Sequence, residues 1–253
     1  MKGRVAELVV VLPVFNEEAS VERVIREWIP VFDALQTGYG VLALDDGSTD
    51  GTPEIPGGLQ REFAALEMVR HVNRGHGQTV FAGYRLACAR GARFVFQMDS
   101  DGQCDPRFFP ALWAGRAEND VMYGCRVDRR DGWRRKLASR LLRAVVRVCS
   151  GVSCEDANTP FRLMRTDGLA EIVEKIPRTF DLANIGLAVL LKRAGWRHGG
   201  VPIRFRERFG GESKVPLARF ARKAVELTGD LRRLHRENFS RSFSNSARAM
   251  PTT

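Results

Sequence analysis

The chain has 253 residues, 44% of them hydrophobic, enough for one sizeable α/β domain with a complete core, and no stretch approaches the roughly 18 consecutive apolar residues of a membrane span. Its formal net charge of +10 suits an anionic partner: nucleic acid, an anionic membrane or a polyphosphate ligand. Nucleic acid is disfavoured, because aromatic residues are not interleaved with the basic ones as a base-stacking platform needs, and no helix-turn-helix, finger or RNA-recognition motif is visible.

The first 125 residues or so alternate strand and helix patterns. Leu8–Phe15 is a short Val-rich apolar run and reads as a strand. Glu7 stands before that run and Pro13 interrupts it early, so no signal-peptide layout is expected. Glu17–Trp28 has helical spacing, with Val21, Val24, Ile25 and Trp28 on one face. Tyr39–Leu44 reads as a second strand, ended by the dense turn signal Asp45-Asp46-Gly47-Ser48-Thr49-Asp50-Gly51. A short helix is expected over Leu59–Leu66, a third strand over Glu67–His71, a helix over Gly77–Ala89 and a fourth strand over Phe94–Met98. Such alternation favours a parallel sheet with helices on both faces, which binds ligands at the carboxyl ends of its strands. The polar clusters obey that rule: Asn16-Glu17, Asp45-Asp46 and Asp99/Asp101 each follow a strand. Five cysteines (88, 104, 125, 149 and 154) show no metal-ligand spacing and are expected to be free thiols in a reducing compartment.

Asp99-Ser100-Asp101-Gly102 is the most informative cluster. Carboxylates at the edge of a core need partners, and a divalent metal carrying a phosphorylated ligand is the natural one here. Alone, a D-x-D is weak evidence; its value lies in its neighbours. Asp45-Asp46-Gly47 could accept hydrogen bonds from a nucleobase or ribose, or be a plain surface turn. Asn73-Arg74-Gly75-His76-Gly77-Gln78 opens a helix as another ligand-facing loop, without the Lys-Ser/Thr ending of an ATP-type phosphate loop.

Together these segments resemble the family 2 glycosyltransferases. The matching motifs are Leu12–Glu18, Leu44–Thr52, Asn73–Gly77, Met98–Pro106, Gly124–Arg126, Asp156–Arg162 and Arg208–Lys214. Their order is similar to the dolichol-phosphate mannosyltransferase branch, the polyprenyl-phosphate glycosyltransferases, over about residues 8–215. The resemblance implies a GT-A fold with a Rossmann-like, mostly parallel central sheet flanked by helices. It also implies a nucleotide-sugar donor of the GDP-mannose or UDP-glucose type. Pro13, Phe15 and Glu17 would line the base and ribose pocket, with Asp45 or Asp46 reading the nucleoside. Asp99, Asp101 and Gln103 match the metal and diphosphate positions, with Ser100 among the substrate contacts. Mg²⁺ or Mn²⁺ would stabilise the charge developing on the departing nucleoside diphosphate. Arg126, Arg135, Arg208 and Lys214 fall where this family places cations against phosphates, and guanidinium suits bidentate phosphate contact; solvated surface is the plain alternative for the arginines.

The implied reaction is an inverting, direct displacement at the anomeric carbon. A phosphate acceptor is already anionic and needs no strong base, whereas a sugar hydroxyl does. Asp181 is the nearest candidate base, or else caps the following helix. Asn184, where an acid would be expected for a hydroxyl acceptor, favours a phosphate. Trp133–Cys149 sets Trp133, Leu137, Leu141, Ala144, Val145 and Val148 against Lys136, Arg140, Arg143 and Arg147. That is the pattern of an interfacial helix, or of one that packs on the domain with a solvated basic face. Pro216–Leu234 is a second amphipathic segment, interfacial or a dimer contact. The expected organisation is a catalytic domain over 1–215, an amphipathic helix over 216–236 and a disordered tail over 237–253. The expected location is the cytoplasm, peripheral at the inner face of the membrane. A same-fold enzyme acting on a glycan hydroxyl, or a non-catalytic nucleotide-binding protein, are the competing expectations; oligomeric state is left open.

Overall fold

The computed structural model describes residues 6–127, 147–148, 158–177, 183–210 and 229. Arg135, Asp181, Lys214 and the tail over 237–253 lie outside the described residues. So do the amphipathic segments at 133–149 and 216–236, apart from residues 147, 148 and 229.

The strands are β1 (Leu8–Val14), β2 (Tyr39–Asp45), β3 (Leu66–Arg70), β4 (Phe94–Gln97), β5 (Val121–Arg126), β6 (Arg162–Arg165) and β7 (His198–Ile203). The helices are α1 (Val21–Asp33), α2 (Glu54–Leu59), α3 (His76–Ala89), α4 (Phe109–Gly115), α5 (Leu169–Glu174) and α6 (Ala183–Arg193), with a single 3₁₀ turn at Pro106–Phe108. The strands form one seven-stranded sheet in the order β3-β2-β1-β4-β6-β5-β7. β6 runs antiparallel to both neighbours, β4 and β5; the other pairings are parallel.

β1 is buried along its whole length, which is why its sequence is a continuous apolar run rather than an alternating one. Leu8, Val10, Leu12 and Val14 face one side, where they join Val24, Ile25, Trp28 and Phe32 of α1. Val9 and Val11 face the other, where they join Val80, Phe81 and Tyr84 of α3. On the α1 side Trp28, Phe32, Phe96, Phe109 and Phe161 form an aromatic cluster with ring centroids 4.7–6.4 Å apart, a separation that favours tilted and edge-to-face pairs. On the other side α3 approaches the sheet at Gly83, where a Cβ would fall 2.5 Å from Val11 Cγ1 and 2.6 Å from Leu44 Cδ1.

Two helix expectations need correction. The first helix starts at Val21, not Glu17, because Glu17–Ser20 form a turn in which Glu17 accepts from the Ser20 and Val21 amides; it runs past Trp28 so that Ile29 and Phe32 extend its apolar stripe. The second spans Glu54–Leu59 rather than Leu59–Leu66. Pro56, Gly57 and Gly58 are poor helix formers, but Pro56 and Leu59 are buried by the fold, and tertiary packing overrides propensity.

Candidate active site

β1 and β4 are neighbours, yet β2 and β3 extend the sheet from β1 in one direction and β6, β5 and β7 extend it from β4 in the other. Strand order therefore reverses between β1 and β4, and a crevice opens at their carboxyl ends. Pairing of β1 with β4 stops at Val11↔Gln97, while pairing with β2 continues to Val14↔Asp45. Val11 turns its carbonyl to β4 and Val14 turns its carbonyl to the β2 side. Pro13 thus directs its missing N–H toward β4, beyond the last pair, where no ladder bond is lost.

Three loops meet over this crevice. The loops after β1 and β2 are fastened together: the Asn16 amide donates to Ser48 Oγ (2.9 Å), the Glu17 amide to Thr52 Oγ1 (2.8 Å) and the Thr49 amide to Asn16 Oδ1 (2.9 Å). Asn16 itself holds φ +53°. Asp45 accepts from the Ser48 amide at 3.0 Å and faces Arg70 Nε at 3.1 Å. Asp46 accepts from the Arg74 amide at 2.7 Å, tying in the loop that opens α3. Pro13 is buried, Phe15 is exposed, and Asp45 and Asp46 are buried.

The loop after β4 carries Asp99, Ser100 and Asp101. The Asp99 side chain is 32% exposed, but its Oδ1 is buried without a hydrogen-bond partner. His76 Nε2, on the first residue of α3, stands 3.9 Å from that oxygen. Burial pushes the Asp99 carboxyl up to about 6; His76 and Arg208 pull it back, and Asp101 and Glu17 push it further. Asp101 Oδ1 accepts from the Gln103 amide at 3.0 Å, and its Oδ2 lies 3.5 Å from Arg208 Nη1.

A strap, residues 204–210, crosses this loop. The Phe209 amide donates to the Asp101 carbonyl (3.0 Å) and the Arg206 amide to the Gln103 carbonyl (2.9 Å). Gly102 has φ +79°, and a Cβ there would fall 2.3 Å from the Phe209 ring. Arg206 donates to the Gly102 and Cys104 carbonyls and to Glu27 of α1, and the Arg23 guanidinium lies 3.8 Å over the Phe209 ring. Arg126, at the end of β5, reaches the same strap, its guanidinium 5.3 Å from the Phe205 ring. The structure thus gathers Pro13, Phe15, Glu17, Asp45, Asp46, Asp99, Ser100, Asp101, Gln103, Arg126 and Arg208 at one end of the sheet.

Beneath the D-x-D lies a buried polar layer that the sequence did not single out as part of a site. Tyr84 donates to Gln97 Oε1, and Gln97 pairs in register with Arg162. Arg162 is fully buried; its Nη1 donates to the Asn184 carbonyl (3.2 Å) and its Nη2 to the Thr159 carbonyl (3.4 Å), with Tyr123 5.0 Å away in cation–π contact. A buried guanidinium must be satisfied, and here it fastens the start of α6 to the floor of the crevice. Its only signal in the sequence is its place at the end of Asp156–Arg162. Asn184, near that helix start, is buried.

The donor set is hard oxygen, and one buried carboxylate oxygen lacks a hydrogen-bond partner, which fits Mg²⁺ or Mn²⁺. Among the described residues no group of three or more His, Cys, Asp and Glu side chains forms a cage for a metal ion. No helix among the described residues is long and apolar enough to cross a membrane.

A sequence profile described as "Glycosyl transferase family 2" matches residues 9–178. Among curated proteins, an undecaprenyl-phosphate 4-deoxy-4-formamido-L-arabinose transferase of Edwardsiella ictaluri is 28% identical over 226 residues, covering 88% of this chain and 66% of the relative. The protein of the same description from Aeromonas hydrophila is 35% identical over 163 residues, covering 62% and 48%. The chain therefore spans about half to two-thirds of the length of these relatives. Among solved structures, glucosyl-3-phosphoglycerate synthase from Mycobacterium tuberculosis, in complex with Mn²⁺, UDP-glucose and phosphoglyceric acid, superposes with a TM-score of 0.62 at 22% identity, covering 90% of this chain and 79% of that one. S. aureus TarS superposes with a TM-score of 0.54 at 17% identity, covering 79% and 59%.

Proposed function

The chain belongs to glycosyl transferase family 2, and from that premise we propose that it transfers a sugar, with inversion, from a nucleotide sugar to a polyprenyl phosphate at a membrane surface. It is a glycosyltransferase with the GT-A fold. The observation that carries the proposal is the Asp99/Asp101 pair at the strand-order reversal, with Asp99 Oδ1 buried without a hydrogen-bond partner and the Arg208 guanidinium beside Asp101.

In this account Asp99, Asp101 and Gln103 would hold Mg²⁺ or Mn²⁺, which supplies charge stabilisation for the departing nucleoside diphosphate. Pro13, Phe15 and the paired loops after β1 and β2 receive the nucleoside, and the buried Asp45 and Asp46 supply acceptors at its edge. Arg126 and Arg208 stand at the carboxyl side of the sheet, where guanidinium can grip phosphate oxygens. Arg135 and Lys214 are proposed as further phosphate contacts, and residues 133–149 as the segment that meets the membrane.

Two things support a phosphate acceptor. The relatives' names specify undecaprenyl phosphate, and the start of α6 presents Asn184 rather than a carboxylate. An anionic phosphate oxygen attacks the anomeric carbon without a general base, so Asp181 is not required to take a proton.

The test is transfer of labelled sugar from UDP- and GDP-sugars, with Mn²⁺, to undecaprenyl phosphate, to glycan hydroxyls and to 3-phosphoglycerate in parallel. Label entering the lipid fraction is the expected result. Transfer to a hydroxyl acceptor with none to lipid phosphate would overturn the acceptor assignment.

A further inference from the structure

Glu17 stands in the loop after β1, where the family resemblance implied a wall of the base and ribose pocket. Its carboxylate is turned toward the strap instead. Oε1 accepts from Arg208 Nη2 at 2.7 Å, while the same guanidinium approaches Asp101 Oδ2 only to 3.5 Å. Oε2 lies 2.5 Å from the hydroxyl of Ser20. Ser20 is buried, and its hydroxyl is also 3.0 Å from the Ser100 carbonyl. The Glu17 rotamer is thus fixed against the D-x-D loop itself.

Arg208 cannot simply leave this neighbourhood. The next residue, Phe209, donates its amide to the Asp101 carbonyl and lays its ring over Gly102. The tethered guanidinium is shared between two carboxylates, and the closer one is Glu17. We propose that Glu17 is a positioning residue that draws the Arg208 guanidinium toward the β1 loop and so keeps Asp99 and Asp101 open to a divalent cation. The inference rests on the reading of Asp99 and Asp101 as metal ligands.

The physical argument is competition for charge. A guanidinium seated fully on Asp101 would satisfy the carboxylate that a cation needs and repel the cation as well. Replacing Glu17 by Gln leaves an oxygen that can accept a hydrogen bond but removes its charge. Asp101 then becomes the stronger partner within reach of Arg208. Removing the Arg208 charge as well should relieve that competition.

The experiment is Mn²⁺ binding followed by electron paramagnetic resonance, with Mn²⁺ alone and with UDP or GDP added. Variants are compared in a condition where the wild type binds Mn²⁺. Glu17→Gln is expected to weaken Mn²⁺ binding by about three- to tenfold, the scale of a partly solvated charge contact. The double variant Glu17→Gln/Arg208→Gln is expected to return close to wild type. Ser20→Ala, which frees the Glu17 carboxylate from its anchor, should act in the same direction by a smaller factor and serves if Glu17→Gln fails to fold. Unchanged Mn²⁺ binding in Glu17→Gln and Ser20→Ala, or a double variant as weak as Glu17→Gln, would overturn the proposal and leave the metal assignment standing. A wild type that binds no Mn²⁺ in any condition would overturn both.

Discussion

At the residue scale, the chemistry lies in a few side chains whose environment differs sharply from water. Asp99 is one, and the half-buried His198 is another. His198 stacks on Tyr123 at 5.5 Å, and burial lowers its imidazole to about 4, with the charges of Lys192 and Arg162 adding to that and the Leu191 backbone and Asp120 opposing it. An unfolded histidine titrates near 6.5. The folded state therefore binds fewer protons than the unfolded state between pH ~4 and ~6.5. Stability from this site is complete above pH ~6.5 and is lost as pH falls toward ~4. Because the ring is partly solvated, the loss should be on the order of 1 kcal/mol rather than the full value of the shift. Urea unfolding of wild type and His198→Phe at pH 7 and pH 5 checks this: the difference in stability between the two proteins should shift in favour of the Phe variant at pH 5. An identical shift in both proteins would show that His198 is not the group responsible.

At the scale of elements, the strap over residues 204–210 is hydrogen-bonded across the D-x-D loop. Gly102 makes that contact possible twice over, by its φ of +79° and by leaving room for the Phe209 ring 2.3 Å from where a Cβ would stand. Gly102→Ala should cost about 1–3 kcal/mol in folding stability through strain and displaced packing, and should lower transfer activity with it. Gly168→Ala is the control, since Gly168 has φ +75° with open space around it. It pays only the left-handed backbone term, about 1–2 kcal/mol, and should leave activity near wild type. Equal effects on stability and activity at the two positions would mean that the Phe209 contact contributes nothing.

What could be read in advance follows from the range of each interaction. β1, β2 and β4 were legible because strands covered on both faces leave continuous apolar runs, and Asp45, Asp46, Asp99 and Asp101 stood out because acidic residues at strand ends are conspicuous against them. α2 was not legible, since Pro56, Gly57 and Gly58 carry no helical signal and only burial of Pro56 and Leu59 holds it. The pairings Arg208–Glu17 and Arg206–Glu27 join residues 191 and 179 positions apart. No local pattern encodes them; they follow from β7 returning the chain beside β5 and delivering the strap to the β4 loop.

For the whole molecule, the order β3-β2-β1-β4-β6-β5-β7 sets a reversal of strand order between β1 and β4, and the candidate donor contacts converge on the carboxyl ends of those strands. Helices cover both faces, so the cleft at that end is where loops from distant parts of the chain can meet a ligand without disturbing the core. The proposed function requires a nucleoside diphosphate and its divalent ion to bind there, on Asp99 and Asp101. It is tested most directly by anomalous diffraction from crystals of the protein grown with Mn²⁺ and UDP or GDP. One strong Mn²⁺ peak in contact with the Asp99 and Asp101 carboxylates and the diphosphate is expected, lost in Asp101→Asn crystals. A bound nucleotide with its Mn²⁺ elsewhere on the protein would contradict it.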